Sequence, residues 1–315
     1  MTVEIASGVG SARLDIAYER FGDAALPPVV LVMGVGTQML GWPDGFCAGL
    51  AARGVQVIRF DNRDIGLSTH LTSAPPPNIR AVMMGDASSA SYRLSDMAGD
   101  VVGLLGALGL DSAHLVGASM GGMIAQTLAI EHPPFVRSLT SIMSSTGERS
   151  VGQPTRRALA ALLSPPAATR EAAIERTVSI LRVTGSPGFD LDEADLRRRT
   201  GLAFDRSHDP VGVARQLAAI GASGDRTEAL RSISVPTLVV HGADDPLVDV
   251  SGGRATARAI AGAEFVVYKG MGHHLPRELW SDIARRIVEL VERAEADRRA
   301  AGEGRAAAER GIRPR

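Results

Sequence analysis

The 315-residue chain carries 34 basic and 35 acidic side chains. Its net charge of −1 gives no electrostatic footing for nucleic acid or an anionic membrane and favours a neutral small-molecule ligand. Cys47 is the single cysteine, which rules out an internal disulfide or a thiolate metal cluster and suits a reducing cytoplasm. Met1 to Ile5 supply neither a basic leader nor an apolar stretch, so a cytoplasmic protein with no integral membrane segment is expected.

From Val3 to about Arg20 two extended runs are broken at Gly8-Val9-Gly10, and Leu14, Ile16 and Tyr18 alternate with polar neighbours, predicting an antiparallel hairpin. Val29-Val30-Leu31-Val32 is a continuous apolar run of the kind found in a strand covered on both faces, and it ends in the loop Met33-Gly34-Val35-Gly36. A helix around Phe46 to Arg53 leads to a strand at Val55 to Phe60 and then to Asp61-Asn62-Arg63-Asp64. Asp61 and Arg63 read as a loop-bracing ion pair, and Trp42 and Trp280 as core anchors. After the loop-rich residues 72–91, Ser95 reads as the N-cap of a helix that carries Met97, Val101, Leu104, Leu105 and Leu108 on one stripe and closes at Gly109.

The next strand, Ala113 to Val116, runs into Gly117-Ala118-Ser119-Met120-Gly121 and then a helical stretch up to His132-Pro133-Pro134. From about Thr146 to Leu230 the strand rhythm gives way to short arginine-rich amphipathic helices, and it resumes at Thr237 to Val240 and Glu264 to Tyr268. Residues 1–145 and 231–293 are therefore expected to form one α/β core, with a mostly parallel sheet flanked by helices. Residues 146–230 form a helical cap on this reading. Beyond about Arg293 the absence of an aliphatic stripe predicts a flexible or frayed-helical tail over 294–315.

A strand, a sharp turn and a helix are what a nucleophilic serine requires: the turn lifts the hydroxyl clear of the sheet and leaves the next N–H at a helix start. Ser119 meets that description. Its base is expected to be a histidine, whose pKa lies near working pH. His273 follows Gly270-Met271-Gly272 at the end of the last strand, with His274 as the second choice; His241 and His114 read as structural. The orienting acid belongs on the loop after the preceding strand, where Asp245 is chosen over Asp244. Backbone N–H groups of Met120 and Val35, with Gly34 as the alternative to Val35, are placed to hold an oxyanion. Met33 and Met271, together with Met120, are read as apolar groups beside the catalytic atoms that line a substrate pocket. No His, Asp or Glu spacing suggests a metal, and the Gly-rich loops lack nucleotide-binding forms, so no cofactor is expected.

The chain order Ser119, Asp245, His273 is that of α/β hydrolases. With these residues the sequence resembles the α/β-hydrolase superfamily over about residues 12–293. Met33-Gly34, Gly41-Trp42-Pro43-Asp44, Arg59 to Ser68, Gly117 to Gly121, Asp245-Pro246 and Gly270 to His273 are similar to the aclacinomycin methylesterase type of esterase. It departs in having Met33-Gly34 where many relatives have His-Gly, and Asp64 where they have glycine. The resemblance implies serine carboxylic-ester hydrolysis with Ser119, Asp245 and His273 as triad and Val35 and Met120 as oxyanion donors, on a neutral, apolar small-molecule ester; a homodimer is compatible with it. Hydrolysis of a lactone, thioester or C–C bond, perhydrolysis, or ligand reception without chemistry are the alternatives.

Overall fold

The computed structural model describes residues 2–311, with side chains through residue 300. Eight strands, β1 (Glu4–Val9), β2 (Leu14–Phe21), β3 (Pro28–Val32), β4 (Gln56–Phe60), β5 (Ala113–Ala118), β6 (Val136–Ile142), β7 (Thr237–Gly242) and β8 (Glu264–Tyr268), form one sheet in the order β1-β2-β4-β3-β5-β6-β7-β8. The β1/β2 and β2/β4 pairs are antiparallel and every other pair is parallel.

The apolar runs follow from this layering. Side chains alternate between faces along a strand, so a strand covered on both sides must be apolar at every position. In β3, Val30 and Val32 join the core under α3 (Leu94–Ala107) and α4 (Met120–Glu131). Val29 and Leu31 join the opposite core, with Trp42, Phe46 of α1 (Asp44–Ala51), and Ile283 and Ile287 of α10 (Trp280–Gly311). Trp42 stacks on Phe46 with ring centroids 5.6 Å apart, and Trp280 meets Phe46 edge-on at 6.2 Å. Both tryptophans anchor that face. A charge at Val30, which is fully buried, would remove the roughly 1.5–3 kcal/mol its burial contributes and add a desolvation cost.

Between β6 and β7 the described chain contains α5 (Arg156–Leu162), α6 (Arg170–Thr184), α7 (Glu193–Arg206) and α8 (Pro210–Ser223) and no strand. Thr155, Thr169, Asp192 and Asp209 cap these helices, each side chain accepting from an N–H of the first turn. A short helix, α2 (Ile79–Met83), packs on α8, and α9 (Val250–Ala259) joins β7 to β8.

One expectation changes. Ser95 does not cap α3: the helix begins at Leu94, the Asp96 carboxylate accepts from Arg93 N–H at 2.8 Å, and Leu94 N–H donates to Ser223 Oγ at 2.9 Å. The cap thus comes partly from α8, a partner no local pattern reveals. The last helix runs on to Gly311, with Ala294 buried and Glu295 bonded to His114 Nε2 and Arg137, each at 3.1 Å. An ion pair, rather than an aliphatic stripe, holds that turn.

Candidate active site

Ser119 sits between β5 and α4 at φ 55°, in the left-handed region that a side chain enters only at a cost of about 1–3 kcal/mol. Its neighbours make the turn possible. A Cβ at Gly117 would lie 2.1 Å from the Gly121 carbonyl oxygen, and one at Gly121 would lie 2.0 Å from that of Val32. The strained residue is pinned at both ends: Ser119 N–H donates to Ile142 O at 2.9 Å, and Ser144 Oγ donates to Ser119 O at 2.8 Å. Serine Oγ is thereby fixed above the C-terminal edge of the sheet.

His273 and Asp245 reach Ser119 from the next strand ends. Asp245 follows β7, with one carboxylate oxygen accepting from the N–H groups of Leu247 and Val248, both at 2.9 Å, and the other 2.7 Å from His273 Nδ1. His273 Nε2 lies 3.0 Å from Ser119 Oγ. A carboxylate only accepts, so Nδ1 carries the proton and Nε2 presents its lone pair to the serine hydroxyl. The Asp245 carboxylate is fully buried and the imidazole nearly so.

The other candidates go elsewhere. Asp244 accepts from Gly270 N–H at 2.7 Å and so braces the turn before His273. Burial pushes the His274 ring down to about 4. His241 is buried and held neutral by that burial, its Nε2 bonded to Val248 O at 2.8 Å, and His114 Nδ1 faces Ser138 Oγ at 2.8 Å within the sheet.

The loop after β3 is a turn in which Thr37 N–H donates to Gly34 O at 3.3 Å and Gly36 takes φ 65°, the pattern of a type II turn. It runs against the serine: a Cβ at Gly34 would lie 3.1 Å from Ser119 Cβ. Asn62 Nδ2 donates to Met33 O at 3.0 Å and Gly36 N–H to Gln216 Oε1 at 2.8 Å. Among the described residues, the N–H groups of Gly34, Val35 and Met120 have no acceptor. Gln216, 180 residues from Gly36, leaves no signal in the sequence near the loop.

One reading is corrected: Asp61 and Arg63 do not pair. Asp61 accepts from Met39 and Leu67 N–H and from Arg206 of α7, at 2.7, 3.0 and 2.9 Å, while Arg63 forms a buried bidentate pair with Asp100 at 2.6 Å. Each is turned to a different layer, as the loop crosses from the sheet edge to α3. Met271 and Met120 are completely buried, one in each core. Met33 is half-buried against the Trp42 core.

Asp64, His70 and Asp209 bring three ligand-type atoms within 4.8 Å. That charge is already met: Arg215 binds Asp64 bidentately at 2.7 and 2.9 Å, and His70 Nδ1 lies 2.7 Å from Asp209. The single cysteine, Cys47, is buried and its thiol is pushed up to about 12 by that burial. No helix among the described residues is long and apolar enough to cross a membrane.

The family model of the alpha/beta hydrolase fold matches residues 27–276, and the chain belongs to that family and is a hydrolase. Among characterised proteins, the rhodomycin D methylesterase of Streptomyces sp. (strain C5) is 31% identical over 291 residues, 85% of this chain and 92% of its own length. The 2-hydroxymuconate semialdehyde hydrolase of Pseudomonas sp. (strain CF600) is 31% identical over 208 residues, 65% of this chain and 69% of its own. A crystal structure of a hydrolase from Pseudomonas aeruginosa PA01 is 25% identical, with a TM-score of 0.69, covering 92% of this chain and 98% of that one.

Proposed function

We propose that this protein is a serine carboxylic-ester hydrolase, a cytoplasmic enzyme acting through an acyl-enzyme on a neutral, largely apolar small-molecule ester. The observation that carries the reading is His273, bonded through Nδ1 to Asp245 and through Nε2 to Ser119. In it, Ser119 Oγ attacks the ester carbonyl as its proton passes to His273 Nε2, and buried Asp245 stabilises the imidazolium. The tetrahedral oxyanion takes hydrogen bonds from the N–H groups of Met120 and Val35, with Gly34 as the alternative to Val35. The C–O bond then breaks, the leaving alcohol takes the proton from Nε2, and a water activated by the same nitrogen releases the acid and restores Ser119.

Residues 146–230 act as the cap that shapes substrate choice. Direct bonds from α7 and α8 to the Gly34–Gln38 segment support this: Gln216 to Gly36, and Gln38 Nε2 to Ala203 O at 2.6 Å and Ser207 O at 3.1 Å. All proposed catalytic groups lie in one chain, so the chemistry runs in the monomer whether or not the chain dimerises. The similarity to a rhodomycin D methylesterase supports methyl esters as substrates. The similarity to a 2-hydroxymuconate semialdehyde hydrolase favours a second reading, C–C bond cleavage by the same three residues.

Purified protein assayed against methyl and p-nitrophenyl esters, lactones, thioesters and C–C substrates tests the reading. Ester turnover abolished by an organophosphonate that labels Ser119 is the expected result. Labelling with turnover only of a C–C, lactone or thioester substrate would establish the second reading, and a protein that neither labels nor hydrolyses would be a binding protein on this fold.

A further inference from the structure

We infer that Gln216, on α8, is a positioning residue for the oxyanion donor Val35, so that the segment between β6 and β7 completes the oxyanion hole as well as bordering it. The inference rests on the esterase reading above and deepens it.

Gln216 is fully buried and both ends of its amide are used. Oε1 accepts from Gly36 N–H and Nε2 donates to Arg63 O, both at 2.8 Å. The far end of this bridge is rigid, because Arg63 is locked by Asp100 and by Asp96 O at 3.1 Å. The near end acts on the peptide between Val35 and Gly36. In a four-residue turn that peptide has two orientations, differing by a flip that swaps type II for type I. The positive φ of Gly36 is the type II state, in which its N–H points at Gln216. A flip would turn the Val35 carbonyl toward Gln216 Oε1, acceptor against acceptor in a buried site. Gln216 therefore holds the turn in one state and anchors the peptide that begins at Val35 Cα, the atom that also carries the Val35 N–H. Val213, one turn earlier on α8, closes the same contact from the side, since a Cβ at Gly36 would meet its Cγ1 at 3.0 Å. Asn62 to Met33 O lies on the far side of Gly34, and the Val35 carbonyl otherwise takes only a longer bond from within the loop, from Thr37 Oγ1 at 3.3 Å.

The sequence offers a clean probe of the donor. Val35 is the second residue of a type II turn, the position proline favours, so Val35→Pro deletes the N–H while keeping the backbone shape. Its kcat should fall by about a hundredfold or more, with KM within about twofold. Gln216→Met, which keeps the volume and removes both bonds, should lower kcat by about tenfold or more at similar KM, and slow phosphonate labelling of Ser119 in parallel. In the Val35→Pro background the same change should cost less than about twofold, because its effect runs through an N–H that is already gone. A merely structural role would make the losses multiply. If Gln216→Met does not fold, Gln216→Glu replaces it in the same cycle. Multiplicative losses, an unchanged kcat in Gln216→Met, or an unchanged kcat in Val35→Pro would each overturn the inference while leaving the triad in place. A wild-type protein that neither hydrolyses nor labels, or turnover that survives Ser119→Ala, would instead overturn the esterase reading on which it rests.

Discussion

The amide of His273 donates to the carbonyl of Thr184 at 2.7 Å, which ties the loop bearing the proposed base to the last turn of α6. The tie is one of a set. Gly272 N–H donates to Ser186 Oγ and Ser186 Oγ donates to His274 O, both at 3.0 Å, and Gly188 N–H donates to Gly270 O at 2.9 Å. The backbones are so close that a Cβ at Gly272 would lie 2.1 Å from Gly185 O. The segment between α6 and α7 and the His273 loop therefore move as one.

It follows that Ser186→Ala should disturb the base without touching substrate. Loss of the acceptor for Gly272 N–H loosens the placement of His273 Nε2, and a kcat reduced by about tenfold with a nearly unchanged KM is expected. Steady-state kinetics on any ester that turns over will decide it; a raised KM at full kcat would show that Ser186 serves binding instead.

Ser119→Ala should lower turnover by at least about a thousandfold, and His273→Ala or Asp245→Asn, added to it, should cost little more, since the three act as a unit. His274→Ala should keep activity within about threefold. A larger loss from His274 than from His273 would mean that the base has been assigned to the wrong ring.

The His70–Asp209 contact should make stability depend on pH in a specific sense. Burial disfavours the His70 cation, but bonds to Gly66 O and Asp209 outweigh it and hold the ring above its ordinary value. With an acceptor at each ring nitrogen, only the doubly protonated form satisfies both. Arg215, 3.6 Å from Asp209, and Asp64 are the other charges at the cluster. A folded pKa above the unfolded one gives stability that is complete below about pH 6.5 and is lost as pH rises through the folded value. The gap in melting temperature between wild type and His70→Gln should thus be wide near about pH 5.5 and shrink toward about pH 9. A gap that widens with alkali would contradict the assignment.

Glu295→Ala should lower the melting temperature by about 2 °C and leave kcat unchanged, because it strips His114 and Arg137 of the carboxylate they share at the edge of the sheet. Burial pushes the His114 ring down to about 4, so it is neutral at pH 7 and its Nε2 keeps only a hydrogen bond to lose. Thermal unfolding of the two proteins side by side is the check, and an equal or higher melting temperature would show that the last helix docks without this contact.

By itself the sequence determined whatever local chemistry dictates. Continuous apolar runs specify strands buried on both faces, Gly117 and Gly121 specify a turn too tight for other residues, and Ser119, Asp245 and His273 each fall just past such a run. The sheet order decided that they meet: β5, β7 and β8 lie close along one edge with only β6 between β5 and β7, so residues separated by 126 and 28 positions arrive within hydrogen-bonding distance. What only the tertiary structure decided are the long-range partners. Asp61 finds Arg206, Arg63 finds Asp100, Leu94 finds Ser223 and Gly36 finds Gln216, because a buried polar group gives up its bonds to water and the fold brings these distant partners within reach.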